Sequence, residues 1–387
     1  MSFSVDEVRF LAQAKQEIAA VTADLDLSKK SMIADVATLR KHFGDYGRAV
    51  AELAGARRSA EGKLPQDWLM CQESAQQTTP PAVSAERVRR LKTALGEHAI
   101  VHDVTCSIGT EGHEVITQGL RYIGSDLDFS RTLMAKHNLQ GKNALIARVD
   151  ALWPASRGAD VIIADPARRS GGKRITNPAQ LLPPLPSLLD AWPHQPIAVK
   201  CAPGLDFSEW TGLVSVVSVD GGVKEACLYS ADLADGETRE AVVIKNGHTD
   251  RITNRTDDAP EQNLAGAPGE YIIDPDGAIV RAGLVRHYAV RENLWMLDER
   301  IAYLTGNRIP EGTSGFRFIE EVPLKKLKSA MAAHDAGSVE ILVRGVDVDP
   351  DQLRKKLQLK GAKPMAVVIT RIGSRGVALI CGPRQWA

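Results

Sequence analysis

The hydrophobic pattern of the chain changes period twice, and each change marks a change of architecture. Over residues 1–95 the apolar positions recur at three- to four-residue steps: Val8, Leu11, Ala14, Ile18 and Val21, then Met32, Val36, Leu39 and Phe43. That spacing gathers them on one face of a helix. After the proline break QQTTPPAVS, Ser84 can cap a further helix running through Val88, Leu91 and Leu95. The front of the chain, residues 1–95, therefore reads as an all-helical domain.

From residue 96 short apolar runs alternate with polar helical stretches, the pattern of βαβ units around a parallel sheet. The runs predict strands at 99–104, 121–125, 144–149, 161–164 and 197–200. Beyond Asp206 come LVSVVSV, EACLYSA and EAVVIKNG, with little helix between them and a hairpin signal at Asn246-Gly247. They read as antiparallel additions to the sheet edge. The stretch TDDAPEQNLAGAPG has linker composition, so the α/β domain is placed at 96–256, a linker at 257–269 and a last domain at 270–387. In that last domain VEILVRGV, DPDQLRKKLQLKG, AVVITRIG and GVALICG run strand, helix, strand, turn, strand, which suggests a small α+β unit of the ferredoxin-like sort. The expected fold class is α/β: a Rossmann-like core with a helical amino-terminal domain and a small α+β carboxyl-terminal domain.

Composition narrows this little. Of 387 residues 44% are hydrophobic and 25% charged, as in an ordinary globular protein with real cores. Lysine plus arginine equals aspartate plus glutamate at 48 each, so a polyanionic partner must be held by local patches. One such patch is the segment 317–384, where basic residues outnumber acidic ones 13 to 7. The 5 cysteines form no CxxC pair and no Cys/His metal spacing, which suggests a reducing compartment and no metal. MSFSVDEVRF lacks the features of a leader and no apolar run approaches membrane-helix length, so a soluble cytoplasmic protein is expected.

Candidate chemistry lies at the strand ends, where ligands of a doubly wound sheet bind. Asp103, Asp126, Asp150 and Asp165 each end an apolar run. A lone aspartate there more commonly caps a helix. The ordered set of four points instead to a nucleoside-shaped ligand. The turn after Asp103 is TCSIGTEG, in which Gly109 lets backbone amides approach a ligand. Asp126 can accept both hydroxyls of a ribose, and Asp150 a hydrogen bond from an exocyclic amine. NAD and S-adenosylmethionine both answer this description. The turn lacks the GxGxxG of nicotinamide folds, and the fourth strand ends in ADPARRSGGKR, for which such folds have no standing use.

DVTCSIGTEG resembles motif I of class I S-adenosylmethionine-dependent methyltransferases in the form common among RNA-modifying members, IGSDLDFSRTLMAKHN resembles their acidic second motif, and DPARR stands at their acid-proline fourth motif. With VKCAPGLDF, the tail EYIIDPDGAIVRAGL through LVRGVDVDPDQLRKKLQLKG, and the front segments ARRSAEGKLP, WLM and QQTTP, the series is similar to the bacterial methyltransferase family that carries a THUMP-like carboxyl-terminal domain. The resemblance implies a cofactor site at Asp103, Thr105, Ser107, Gly109, Thr110, Asp126, Leu127, Asp150 and Asp165. It implies a catalytic group of Asp165, Pro166, Arg168, Arg169, Lys200 and Cys201. Ser107 stands where the motif usually has glycine, and DPARR lacks the aromatic of the amino-methylating enzymes; it is closer to the DPPR of uridine C5 methyltransferases, where a cysteine near the fifth strand is the nucleophile, a role KCAP offers to Cys201. Trp68, His113 and Lys63 are further candidates for the substrate mouth. The function expected is S-adenosylmethionine-dependent methylation of RNA, a tRNA or rRNA base. Two other readings stay open: a catalytically silent nucleic-acid-binding protein with the same fold, supported by Ser107, and a methyltransferase acting on protein or a small molecule.

Overall fold

The computed structural model of the chain describes residues 3–28, 30–167, 169–170, 173–175, 177–255 and 265–387. They form two compact units, residues 1–219 with 223–238 and residues 220–222 with 239–387. Residues 257–264 of the expected linker, and Arg168, lie outside the described residues. None of the described helices is long and apolar enough to cross a membrane.

The first unit begins with helices α1 (Val5–Gln13), α2 (Lys15–Thr22), α3 (Met32–Phe43), α4 (Gly47–Ser59), α5 (Gln72–Gln77) and α6 (Pro81–Leu95). Ser4 and Glu7 form a reciprocal capping box that starts α1. α6 begins earlier than the expected cap at Ser84. Pro81 opens it, because a proline lacks only an N–H that the first turn leaves unpaired, and Ser84 is buried inside the helix.

The sheet follows: β1 (Ile100–Asp103), α7 (Thr110–Thr117), β2 (Arg121–Asp126), α8 (Phe129–Asn138), β3 (Ala144–Arg148), β4 (Val161–Ala164), a ribbon of β5 (Arg169–Ser170) and β6 (Lys173–Arg174), α9 (Leu185–Ala191), β7 (Ile197–Cys201), β8 (Leu213–Val219) and β9 (Gly222–Tyr229). Within this unit the strands run in the order β3-β2-β1-β4-β7-β9-β8. β1, β2, β3, β4 and β7 are mutually parallel, and β9 lies antiparallel to β7. Strand order reverses between β1 and β4, which opens a crevice at their carboxyl ends. One hydrophobic core joins helices to sheet, from Leu11, Ile18, Leu39, Leu53 and Leu91 to Val101, Val161, Ile163 and Ala198. The helical front is thus packed on one face of the sheet that carries the strand-end acids.

The second unit opens with a hairpin, β10 (Arg239–Lys245) and β11 (His248–Thr253), turned at Asn246 and Gly247 with φ of +50° and +77°, the geometry of a type I′ turn. Next come β12 (Tyr271–Ile273), α10 (Gly277–Arg281), α11 (Val285–Glu292), β13 (Trp295–Asp298), β14 (Ile301–Gly306), β15 (Ser314–Pro323), α12 (Leu327–Ala333), β16 (Ala336–Val343), α13 (Pro350–Leu357), β17 (Lys363–Ile372) and β18 (Arg375–Trp386). Their sheet has the order β13-β14-β12-β15-β18-β17-β16. The α+β character is as expected, with a refinement of the ferredoxin-like reading. From β15 the chain runs β-α-β-α-β-β, so α13 crosses between the parallel pair β16 and β17, and β18 returns between β17 and β15. One sheet face packs Val367, Ile369 and Ile380 against Leu327 and Met331 of α12 and Leu357 of α13. The other packs Val368, Leu379 and Phe316 against Ile301 and Tyr303 of β14.

Candidate active site

The turn after β1 is held by the strands on either side of it. Val104 N donates to Ile163 O at 2.9 Å and Cys106 N to Ser125 O at 2.8 Å. Two residues in the turn have left-handed backbones, Ser107 at φ +48° and Gly109 at φ +88°. At Gly109, which caps α7, a Cβ would stand 3.0 Å from Leu139 Cδ1, so glycine suits both the conformation and the space. Asn138 secures the turn from below. Its amide accepts from Leu69 N at 2.7 Å and donates to Leu69 O at 2.9 Å and Ile108 O at 3.0 Å, tying the WLM segment of the helical front to the turn.

The expected acids meet around this turn. Asp126, which ends β2, accepts from Ser107 N at 3.0 Å and from Asp128 N at 2.9 Å. Asp103 accepts from Thr105 N at 3.1 Å and from the Tyr122 hydroxyl at 3.2 Å. Thr105 in turn accepts from Asp165 N at 2.6 Å. The turn therefore carries two hydrogen-bonded sets, Asp103 with Thr105 and Asp165 and, two residues on, Ser107 with Asp126, and Gly109 and Thr110 follow at the start of α7. Burial, with Glu111 nearby, pushes the Asp103 carboxyl up to about 7. Burial also raises Asp126, against the opposing pull of Asp128 N and Arg131.

Beside Asp126 two apolar side chains are open to solvent, Leu127 at 61% and Phe129 at 39% exposure. Exposed apolar side chains next to an acid that can accept from vicinal hydroxyls suit a nucleoside, since a flat base needs an apolar seat. Asp150 follows β3 but is exposed, and its carboxylate accepts from Leu152 N at 2.9 Å within its own turn. It keeps its strand-end position without joining either hydrogen-bonded set.

Asp165 follows β4. Its carboxylate lies 2.9 Å from Lys200 Nζ, which is buried in β7 and stands 3.7 Å from Glu111 and 4.0 Å from Glu225. Burial opposes the charge of Lys200, but Asp165, Glu225 and Glu111 outweigh it and hold the ammonium above its ordinary value. Arg87 of α6 completes the group through ion pairs with Glu111 and Glu225. Sequence reasoning missed Arg87, Glu111 and Glu225. The signal was present: Arg87 falls on the apolar stripe of its helix, with Ser84, Val88 and Leu91, and Glu225 interrupts a strand whose next four residues are all buried.

Other expected residues are placed differently. Pro166 is buried after Asp165; Arg169 lies in β5. Cys201, the expected nucleophile, ends β7; its side chain is 0% exposed and, as the strand neighbour of Lys200, points to the opposite face of the strand. Asp206, after β7, accepts from Ser208 N at 3.0 Å within its own turn. Trp68 is buried edge-on against His113, with ring centroids 5.4 Å apart, and Lys63 is exposed.

Comparison with known proteins agrees with this geometry. The THUMP domain-like family matches residues 313–383. An uncharacterized S-adenosylmethionine-dependent methyltransferase of Mycobacterium tuberculosis is 43% identical over 369 residues, spanning 90% of this chain and 100% of the relative. A crystal structure from Porphyromonas gingivalis W83, of a protein assigned as a methyltransferase, shares the fold with a TM-score of 0.72 at 20% identity over 100% of both chains. The strand order, the acid-bearing turn and the mycobacterial relative converge: the chain belongs to the S-adenosylmethionine-dependent methyltransferases with a THUMP domain-like carboxyl-terminal region, and S-adenosylmethionine is its cofactor.

Proposed function

We propose that the protein methylates RNA, on a base of tRNA or rRNA, in the cytoplasm. The observation that carries this reading is the helical face of the THUMP domain-like region. α12 and α13 pack on the same side of their sheet, and Lys325, Lys326, Lys328, Arg354, Lys355 and Lys356, on or next to them, are all exposed. A layer of mobile cations over a rigid sheet suits a phosphate backbone.

Asp126 would hold the ribose hydroxyls of the cofactor, Leu127 would flank its adenine, and Asp150, after the neighbouring strand β3, would accept from the adenine amine. Asp103, Thr105, Ser107, Gly109 and Thr110 would line the methionine end. Bound there, S-adenosylmethionine supplies an electrophilic methyl group on a sulfonium. The chain's own part is alignment and proton handling. Asp165, anchored by Thr105 through its backbone and by Lys200 through its carboxylate, would orient the acceptor atom and accept its proton where one is lost. Pro166, Arg168 and Arg169 follow Asp165 directly, and the two arginines carry forked donors suited to a substrate phosphate or carbonyl.

The test is transfer of labelled methyl from S-adenosylmethionine to total RNA from cells that lack the protein. Ribonuclease-sensitive label, lost with Asp165→Asn, is the expected result. Label that survives ribonuclease and falls to protease would transfer the reading to a protein substrate.

A further inference from the structure

Beneath Asp165 lies a buried group of charges drawn from four elements. Arg87, on α6, is 2% exposed; its Nε meets Glu111 Oε1 at 2.8 Å and its Nη1 meets Glu225 Oε1 at 2.5 Å. Glu111, on α7, and Glu225, on β9, are each 3% exposed, and Thr79 donates to Glu225 at 3.2 Å. Lys200, on β7, meets both carboxylates at longer range, 3.7 Å and 4.0 Å, and Asp165 at 2.9 Å. Charges therefore alternate: cation, two carboxylates, cation, carboxylate. The chain of contacts leads outward, because the Asp165 side chain is 31% exposed while the others are 2–6% exposed.

Alternation matters because a buried charge without a counter-charge is strongly destabilising, as broken interior ion pairs show. Arg87 satisfies two carboxylates at once. Without it, Lys200 is the cation that remains in ion-pair range of both Glu111 and Glu225. Both already lie within about an ångström of contact distance, so Lys200 would be drawn inward and away from Asp165.

We propose that Arg87 is a positioning residue for methyl transfer: by neutralising Glu111 and Glu225 it leaves Lys200 to hold the Asp165 carboxylate. This rests on the reading that Asp165 meets the acceptor. It makes the helical front part of the catalytic apparatus, since α6 supplies the far end of a chain of contacts that finishes at the site.

The test uses the full-length protein with Arg87→Met, Arg87→Lys, Arg87→Met combined with Glu225→Gln, and Asp165→Asn. The first readout needs no substrate: the Lys200 ammonium signal in proton–nitrogen NMR spectra, identified by its absence in Lys200→Met. Arg87→Met should displace that signal. In the RNA methylation assay kcat should fall roughly 10- to 100-fold, the scale expected of a catalytic group moved by about 1 Å, with the calorimetric affinity for S-adenosylmethionine within about threefold of wild type. Arg87→Lys should retain part of kcat, and the double variant should recover about tenfold over Arg87→Met, because it removes one of the two stranded carboxylates. A double variant no better than the single one, or an unmoved Lys200 signal, overturns the proposal. If Arg87→Met does not fold, Arg87→Lys decides, and wild-type kcat in it is the overturning result. Asp165→Asn separates the two claims. Undiminished methylation there sinks the reading of the site itself, whereas loss there with full kcat in the arginine variants sinks only the role of Arg87.

Discussion

At the scale of single residues, Ser107 shows how a departure from a motif can be understood physically. Its φ of +48° is why glycine suits that position, because a Cβ in the left-handed region costs about 1–2 kcal/mol. Glycine in turn loses about 0.5–1 kcal/mol more entropy on folding. Ser107→Gly should therefore stabilise the protein by about 0.5 kcal/mol, read as a higher urea midpoint with unchanged slope. Asp126→Ala has a sharper expected outcome. It removes the acceptor for Ser107 N and Asp128 N together with the carboxylate proposed for the ribose, so calorimetric titration should show S-adenosylmethionine affinity reduced about 100-fold or more at retained circular dichroism. Full affinity in that variant would place the cofactor elsewhere. The acids themselves were legible in the sequence because each ends an apolar run. Their partners were not: nothing in local spacing brings Arg87 to Glu225, which lies 138 residues away.

At the scale of elements, the strands of the first sheet were legible to within a residue or two because each is a short apolar run between polar helices. The order of the second sheet was not. A β-α-β crossover and an antiparallel return have the same local periodicity, so the place of β18 between β15 and β17 depends on pairings distant in the chain. Strand β1 carries a property that the pattern also concealed. His102 is 1% exposed, with its ring nitrogens against the Ser156 and Ser125 hydroxyls at 2.7 Å and 2.9 Å, and burial lowers it to about 4. Since the folded value lies below the unfolded one, the unfolded chain takes the proton first as pH falls. The stability from neutral His102 is complete above about 6.5 and is lost as pH falls toward 4, a difference of about 3 kcal/mol. Urea unfolding at pH 7, 5.5 and 4 should show that loss in wild type and a shallower one in His102→Gln, which keeps a polar partner for the hydroxyls and does not titrate. Identical pH slopes in the two proteins would mean that His102 takes up its proton equally readily in the folded and unfolded chains.

At the scale of the molecule, a chain with 48 basic and 48 acidic residues has no net attraction for a polyanion, so any grip on RNA must come from segregation of charge. The face formed around α12 and α13 supplies it. Leu327, Met331 and Leu357 are buried against the sheet, which leaves the intervening lysines directed away from it. On the proposed RNA reading such a face would act through counterion release, and its contribution would be read in the salt dependence of binding as well as in affinity. Replacing Lys325, Lys326, Lys355 and Lys356 with alanine should weaken RNA binding uniformly across sequences and flatten the plot of log affinity against log salt by up to about 3, near 0.7 for each lost contact with single-stranded RNA. S-adenosylmethionine affinity should not change, since none of these lysines is in the unit that carries Asp126. The two measurements together are discriminating. A lower RNA affinity with an unchanged salt slope would mean that the lysines support the fold of the second unit and do not touch phosphate. An unchanged affinity and slope would shift the RNA contacts to the first unit, where the arginines that follow Asp165 are the next residues to replace.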